Sequence, residues 1–402
     1  MSRIFLLLVI ALLSQPGHRL WGQPSDSHNN SDLRGGNLIL PVAGNSQQPK
    51  SVVELRRTAE AGDRLAQNSL GYAYTFGEGV EQSYSEAVKW FAVAASTGYA
   101  PAQLNLATLY ETGLGVSLDL AKALIYIRAA SDQGYAPAQT RLGLFFEKGW
   151  AVQSDSAEAV KWYRTAAEEG DAPAQCKLAE SYHLGRGVPR DDSEAAKWYR
   201  KAADEGSVTA QNNLGAMYRR GSGLKRDLDQ ALFWYRKAAD QGLAQAEYNL
   251  GFLYRHGSGQ KRDFDQALFW YRKAADQGLA QAENDLGVMY QDGSGVEKDY
   301  RQAATWYRAA AMQGESRGMF NLASLYYVGR GVPLDYVSAY LWYSRAAVAG
   351  EPLGAQRRKD VLSIMTSDQK QLAQSRLSDR QSASMSSEGA LPPFDASAMN
   401  QK

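Results

Sequence analysis

Few residues in this chain combine the types and spacing that catalysis or metal binding demands. Of 402 residues, four are histidine: His18, His28, His183 and His256. The last two occupy adjacent, variable positions of a repeating pattern, and a single surface imidazole is expected at each. Cys176 is the only cysteine. One thiol excludes an internal disulfide and a cysteine-rich metal site, and an inert, half-buried Cys is expected. Glu147 and Glu180 are the carboxylates that a hydrolase would use. Such chemistry needs two carboxyls converging across a cleft, whereas regular helices set them in a row. Paired glycines such as Gly221 and Gly223 suggest a phosphate loop. The third glycine of a dinucleotide loop is missing, and the pair joins two helices rather than a strand and a helix. No His-Glu-x-x-His or phosphate-loop motif occurs. No cofactor, no metal and no catalytic residue is therefore expected.

The elements that would hold any site come from an internal repeat. Gly221–Ala246 and Gly257–Ala282 are near-identical, differing at Leu224/Gln260 and Leu228/Phe264, and start 36 residues apart. A fixed offset of this size marks a repeat array. The unit opens at Ala66, Ala102, Ala138, Ala174, Ala210, Ala246, Ala282 and Gly318, giving eight units over residues 66–353. The fifth residue is always Leu, from Leu70 to Leu322, and an aromatic follows four residues later, from Tyr74 to Tyr326. Offsets of four lie on one helical face, so the first half of each unit is a helix, A, with one buried stripe. Glycine ends it, as at Gly77 and Gly113. Ser83/Glu86, Asp155/Glu158, Asp191/Glu194, Asp227/Gln230, Asp263/Gln266 and Asp299/Gln302 read as capping boxes that open a second helix, B. Helix B carries Ala and then Trp, as in Ala87/Trp90 and Ala231/Trp234. The large Trp is expected to fill the gap between layers.

The flanks break the pattern. Residues 51–65 match the second half of a unit and read as an N-terminal half-repeat cap. Residues 354–377 read as two C-terminal capping helices, Gly354–Met365 and a last one opened by Thr366-x-x-Gln369. Residues 23–50 and 378–402 are polar and aperiodic, expected as a disordered spacer and tail. At the start, Arg3 precedes the apolar run Ile4–Leu13. This fits a secretory signal peptide over residues 1–22 and is too short to span a bilayer. The cleavage site is poor, because Gly22 and Ser14 each follow a Leu by two residues. An uncleaved signal segment would be the one membrane attachment. The expected location is exported, periplasmic or secreted.

Charge narrows the partner. Basic and acidic residues number 44 and 43, whereas nucleic-acid binders show a clear basic excess, so no nucleic-acid partner is expected. A protein or peptide partner would meet helix-A residues that packing does not need, at the third, seventh and tenth positions of each unit. Glu111, Glu147 and Glu180 fall in units two to four, and Arg219 and Arg255 in units five and six. Aromatics appear there as Tyr72, Tyr248, Phe252, Phe320 and Tyr327. Tyr and Arg are enriched in binding hot spots. Units five to eight are therefore read as a partner groove anchored by Tyr248, Phe252, Arg219 and Arg255, with Phe320 and Tyr327 further along. Trp150, in a turn where glycine is expected, is a second contact candidate.

The full unit reads Ala-Gln-x-x-Leu-Gly-x-x-Tyr-x-x-Gly-x-Gly-Val-x-x-Asp-x-x-x-Ala-x-x-Trp-Tyr-x-x-Ala-Ala-x-x-Gly. It resembles the Sel-one-like repeat, a relative of the tetratricopeptide repeat, over about Ser51 to Leu377. The resemblance implies an all-α fold, a right-handed α/α superhelical solenoid whose helix A tends to line the concave face. It also implies an adaptor or scaffold for protein complexes, often exported in bacteria. Some exported relatives carry a Cys pair in every repeat and are linked to penicillin binding; this chain has only Cys176. The third unit departs at Gly149-Trp150-Ala151, and the eighth opens with Gly318-Met319. The function expected is a non-catalytic interaction scaffold that binds a protein or peptide on the concave helix-A face. The alternatives are a cell-wall-acting or β-lactam-hydrolysing enzyme, and a glycan-binding module using Tyr and Trp platforms.

Overall fold

The computed structural model describes residues 51–257 and 261–386. The proposed signal peptide, the spacer and residues 387–402 lie outside the described residues. Described residues form nineteen α-helices and no strand. They divide into two compact bodies, 51–234 and 235–386.

The helices run α1 (Val52–Glu60), α2 (Arg64–Phe76), α3 (Tyr84–Ser96), α4 (Ala100–Thr112), α5 (Leu120–Ser131), α6 (Ala136–Lys148), α7 (Ser156–Glu168), α8 (Ala172–Leu184), α9 (Asp192–Asp204), α10 (Val208–Arg220) and α11 (Leu228–Asp240). They continue with α12 (Ala244–His256), α13 (Phe264–Asp276), α14 (Ala280–Asp292), α15 (Tyr300–Met312), α16 (Ser316–Val328), α17 (Tyr336–Val348), α18 (Gly354–Ile364) and α19 (Ser367–Ser386). Even-numbered helices from α2 to α16 are the A helices and odd-numbered ones from α3 to α17 the B helices. Within each body successive helices pack on one another, as in an α/α solenoid.

The repeated Leu is the constant of the core. All eight, Leu70 to Leu322, are no more than 2% exposed. The aromatic that dominates helix B is not the Trp. Trp90, Trp162, Trp198 and Trp306 stay half-buried and Trp234, Trp270 and Trp342 are buried, whereas the residue after the Trp is more uniformly sealed: Phe91, Tyr163, Tyr235, Tyr271 and Tyr307 are all under 2% exposed. The helical turn explains this, because that position points at helix A while the Trp looks along the layer. Burying one such ring is worth at most about 4–6 kcal/mol before entropy. The sixth position of helix A shapes itself to the ring. A Cβ on Gly143 would come 2.6 Å from Cε1 of Tyr163, and one on Gly287 2.6 Å from Cε1 of Tyr307.

Helix ends follow the local chemistry. A helices stop at a glycine with φ between 66° and 77°, such as Gly113, whose N–H donates to the Leu109 carbonyl. The second glycine lies against the previous repeat: a Cβ on Gly115 would come 2.7 Å from the Ser85 nitrogen, at the start of α3. In the third repeat Ala151 takes that place at φ 53°, the one non-glycine residue with positive φ among the described residues.

The expected capping boxes are half made. Asp155 accepts from the Glu158 N–H at 3.0 Å, but its own N–H donates to the Phe146 carbonyl at 2.9 Å. The same link, Asp191 to Tyr182 and Asp299 to Tyr290, ties the turn to helix A in other repeats. Among the described residues Thr366 and Gln369 close both halves, at 3.0 and 3.3 Å.

The flanks are helical. α1 buries Ala59 and sets Val52 and Leu55 against the first core cluster. At the other end Val361, Met365 and Ala373 complete the last one. The final helix does not stop near Leu377, as its sequence suggested, but runs to Ser386. Residues 378–386 hold no Gly or Pro to end a helix.

Candidate partner-binding face

The polar positions of helix A are mostly engaged by the next repeat. Residues 30 and 37 apart meet, because stacking sets the tenth or third position of one unit beside the fourth position of the next. Asn105 donates to Asn68 at 3.0 Å and Asn321 to Asn284 at 2.9 Å. Arg141 Nη1 pairs with Glu111 Oε2 at 3.5 Å, both side chains about nine-tenths buried. Lys177 Nζ lies 3.7 Å from Glu147 Oε2. In the second body the polarity is reversed: Arg255 Nη1 faces Asp285 Oδ1 at 3.6 Å.

These pairs correct the expected segregation of charge. Glu111 and Glu147 are answered by Arg141 and Lys177, and Arg255 by Asp285, so neither sign accumulates. Burial pushes the Glu111 carboxyl up, against the pull of Arg141. Burial likewise pushes Asp285 up, against Arg255 and the Tyr248 hydroxyl.

The anchors suggested by sequence fall into three groups. Tyr248 donates to Asp285 Oδ2 at 3.1 Å and packs 5.5 Å from the Tyr271 ring. Phe320 meets Tyr343 edge-on at 5.2 Å. Trp150 meets Phe145 edge-on at 5.6 Å and packs against the core, so it is tucked into its repeat rather than presented. These three, with Arg255, are bound to neighbouring side chains because the stack brings a partner to each. Arg219 is half-buried on α10, in the first body, whereas Arg255 belongs to the second. Tyr327 is half-buried with its ring 5.9 Å from Tyr336. Phe252 is half-buried on α12 and stacks on exposed His256 at 4.1 Å and 28°.

Sequence reading missed two sets of residues. The first is an arginine on helix B that donates to the aromatic hydroxyl of the next A helix, 18 residues on. Arg164 reaches Tyr182 at 2.8 Å, Arg236 reaches Tyr254 at 2.6 Å and Arg272 reaches Tyr290 at 2.6 Å. Arg56 and Arg200 hold Tyr74 and Tyr218 in the same way. Its signal was the Arg that recurs two residues after the Trp. The same arginines cover Trp rings, Arg200 at 5.1 Å from Trp234 and Arg236 at 5.2 Å from Trp270. Those rings do not offer open platforms to a sugar.

The second set is a network around Lys177. Its Nζ bridges Glu147 and Glu180, at 3.7 and 3.3 Å, and Tyr163 donates to Glu147 at 2.7 Å. Burial alone would raise Glu147, but Lys177, the Tyr163 hydroxyl and Lys148 outweigh it and hold the carboxyl below its usual range. A glycosidase acid needs the opposite, a raised carboxyl. Cys176 is half-buried with Sγ 3.2 Å from Ser207 Oγ, and burial pushes its thiol up to about 11. His183 pairs with Asp192 at 2.6 Å.

Helix pairs of fixed length, stacked in register and tied by links between neighbouring repeats, define an α/α repeat protein. The Sel1 repeat model matches eight consecutive times, at residues 64–99, 100–135, 136–171, 172–207, 208–243, 244–279, 280–315 and 316–350. The chain belongs to the Sel1 repeat family. A Sel1 repeat protein from Oxalobacter formigenes is 30% identical, with a TM-score of 0.60, over 88% of this chain and 99% of that one. A protective antigen present in uropathogenic Escherichia coli strains and displaying an SLR fold is also 30% identical, with a TM-score of 0.45, over 87% of this chain and 94% of that one. No curated protein matches. Sel1 repeat proteins are in general protein-interaction scaffolds.

Proposed function

We propose that this chain is a non-catalytic scaffold that holds a protein or peptide partner on the helix-A face of its second body, centred on α12. One observation carries the reading. Half-buried Phe252 stacks on exposed His256 in the last turn of α12. A ring pair fixed by its neighbour gives contact area at low entropic cost, as hot-spot residues do. Tyr327, further along, is a secondary contact.

The test separates binding from folding. Phe252→Ala with His256→Ala should abolish capture of a partner from envelope extracts while leaving the thermal midpoint nearly unchanged. Undiminished capture by the double variant would remove the site. We also propose export, supported by Arg3 and the apolar run Ile4–Leu13. Cell fractionation with sequencing of the mature N-terminus checks it, and a cytoplasmic chain retaining Met1 would refute it.

A further inference from the structure

The arginine–tyrosine link closes most joints between repeats, from Arg56–Tyr74 to Arg308–Tyr326. Arg128 stands in the same place on α5, but the residue 18 positions on is Phe146. Phe146 keeps the ring and lacks the hydroxyl. Arg128 is exposed, and its guanidinium meets no acceptor among the described residues.

An open cleft of about 420 Å³ lies at this joint, lined by Arg128, Phe146, Val152, Gln153, Ser154 and Asp155. That volume is within the range of small-ligand sites. Four of the six residues come from the one turn that breaks the Gly-x-Gly rule, where Ala151 takes the second glycine's place at φ 53°. Two departures from the repeat, Phe146 and Ala151, therefore fall at one joint, and both belong to the first body.

The lining offers one free cation beside an apolar wall. Phe146 and Val152 are held by the core cluster behind them. Gln153 is exposed and also without a side-chain partner among the described residues, so its amide adds donors at the lip. Ser154 donates to the Glu147 carbonyl at 3.3 Å. Asp155 is the one acid in the lining. Its Oδ1 accepts from the N–H groups of Ala157 and Glu158, at 2.9 and 3.0 Å, and the N-terminal dipole of α7 offsets part of its charge. A doubly charged phosphate would still be repelled by it. A singly charged carboxylate matches the single guanidinium in charge and in its forked geometry.

We propose that this cleft binds a carboxylate carried on an apolar group. The carboxylate sits on Arg128, where other repeats place the tyrosine hydroxyl, and the apolar group lies against Phe146 and Val152. The site is separate from the α12 face and does not depend on it.

The probes are phenylacetate, its neutral counterpart phenylacetamide, and a short acetylated peptide ending in Phe with its C-terminus free or amidated. Saturation-transfer NMR on the full chain should detect phenylacetate, the free-ended peptide or both, and neither neutral counterpart. Binding of one and not the other tells whether a small acid or a chain end is the occupant. Inorganic phosphate should not displace the bound carboxylate. Arg128→Gln should weaken binding at least about tenfold, as loss of a charge-assisted hydrogen bond does. Its thermal midpoint should stay nearly unchanged, because Arg128 ties nothing together. Phe146→Tyr supplies the hydroxyl that holds the other arginines, so it should abolish binding while keeping or raising the midpoint. Arg164→Gln breaks such a link at another joint and should lower the midpoint with binding intact. Equal binding of phenylacetamide, displacement by phosphate, binding that survives Arg128→Gln or Phe146→Tyr, or no binding of either carboxylate overturns the proposal.

Discussion

Gly251 lies directly under the ring of Tyr271, so close that a Cβ on it would come 2.6 Å from Cδ1. The backbone of α12 approaches α13 only because that Cβ is missing. Gly251→Ala must push the helices apart or rotate the ring, and overpacking of this kind costs about 1–3 kcal/mol. Chemical denaturation should show that loss, with amide exchange faster in α12 and α13. An unchanged midpoint would mean that the helices shift without cost.

Ala151 gives a prediction of the opposite sign. Its φ of 53° lies in the left-handed region, which costs an L-residue roughly 1–2 kcal/mol. Ala151→Gly removes that strain but adds unfolded-state entropy. A net gain of about 0.5–1 kcal/mol is expected, read as a higher denaturation midpoint.

Arg255 should behave as a structural residue. With Arg255 and Asp285 side chains 19% and 14% exposed, Arg255→Ala leaves a nearly buried carboxylate without its cation. A loss of about 2 kcal/mol is expected, between the values for exposed and fully buried pairs. Adding Asp285→Asn should restore part of it. A double-mutant cycle measures the coupling, and additive losses would show that the pair does not interact.

Cys176 should be slow to react. With its thiol pushed up to about 11, almost no thiolate exists at neutral pH, and thiolate is the nucleophile. Alkylation should be slow in the folded chain, accelerate with rising pH, and become fast in denaturant. Rapid native labelling at neutral pH would contradict the buried setting.

Acid should loosen the seam around Glu147. Glu147 is held low, so its stabilising contribution is present above the unfolded value and lost as pH falls through the folded one. Protection of α6–α8 should therefore weaken in acid. Hydrogen exchange at several pH values measures it, and protection that does not fall with pH would reject the assignment.

Much of the scaffold was legible because it is local. Leu70 and its equivalents mark the buried stripe, Gly113 and its equivalents end the A helices, and Asp155 and its equivalents open the B helices, all within one period. The surface was less legible. Whether Tyr248 or Arg255 is available depends on Asp285, which lies 37 and 30 residues away, and only the pitch of the stack brings them together. Trp150 differs: its turn position suggested exposure, but Phe145, in the same repeat, supplies a packing partner. That the residue after the Trp is sealed as well was hidden for a different reason. One residue is a rotation of about 100° on a helix, and periodicity of the Ala positions did not fix the angle of the B helix against the A helix.

The arginine–tyrosine links also have a mechanical consequence. Within the first body they clasp α1 to α2, α7 to α8 and α9 to α10, through Tyr74, Tyr182 and Tyr218. Between α3 and α4 the arginine is replaced by Ala92, and between α5 and α6 the tyrosine is replaced by Phe146, which has no hydroxyl. Two successive joints of that body thus lack the clasp. Under an end-to-end pull in an optical trap, the body should part first at these joints, releasing a short, weak segment before the clasped repeats give way.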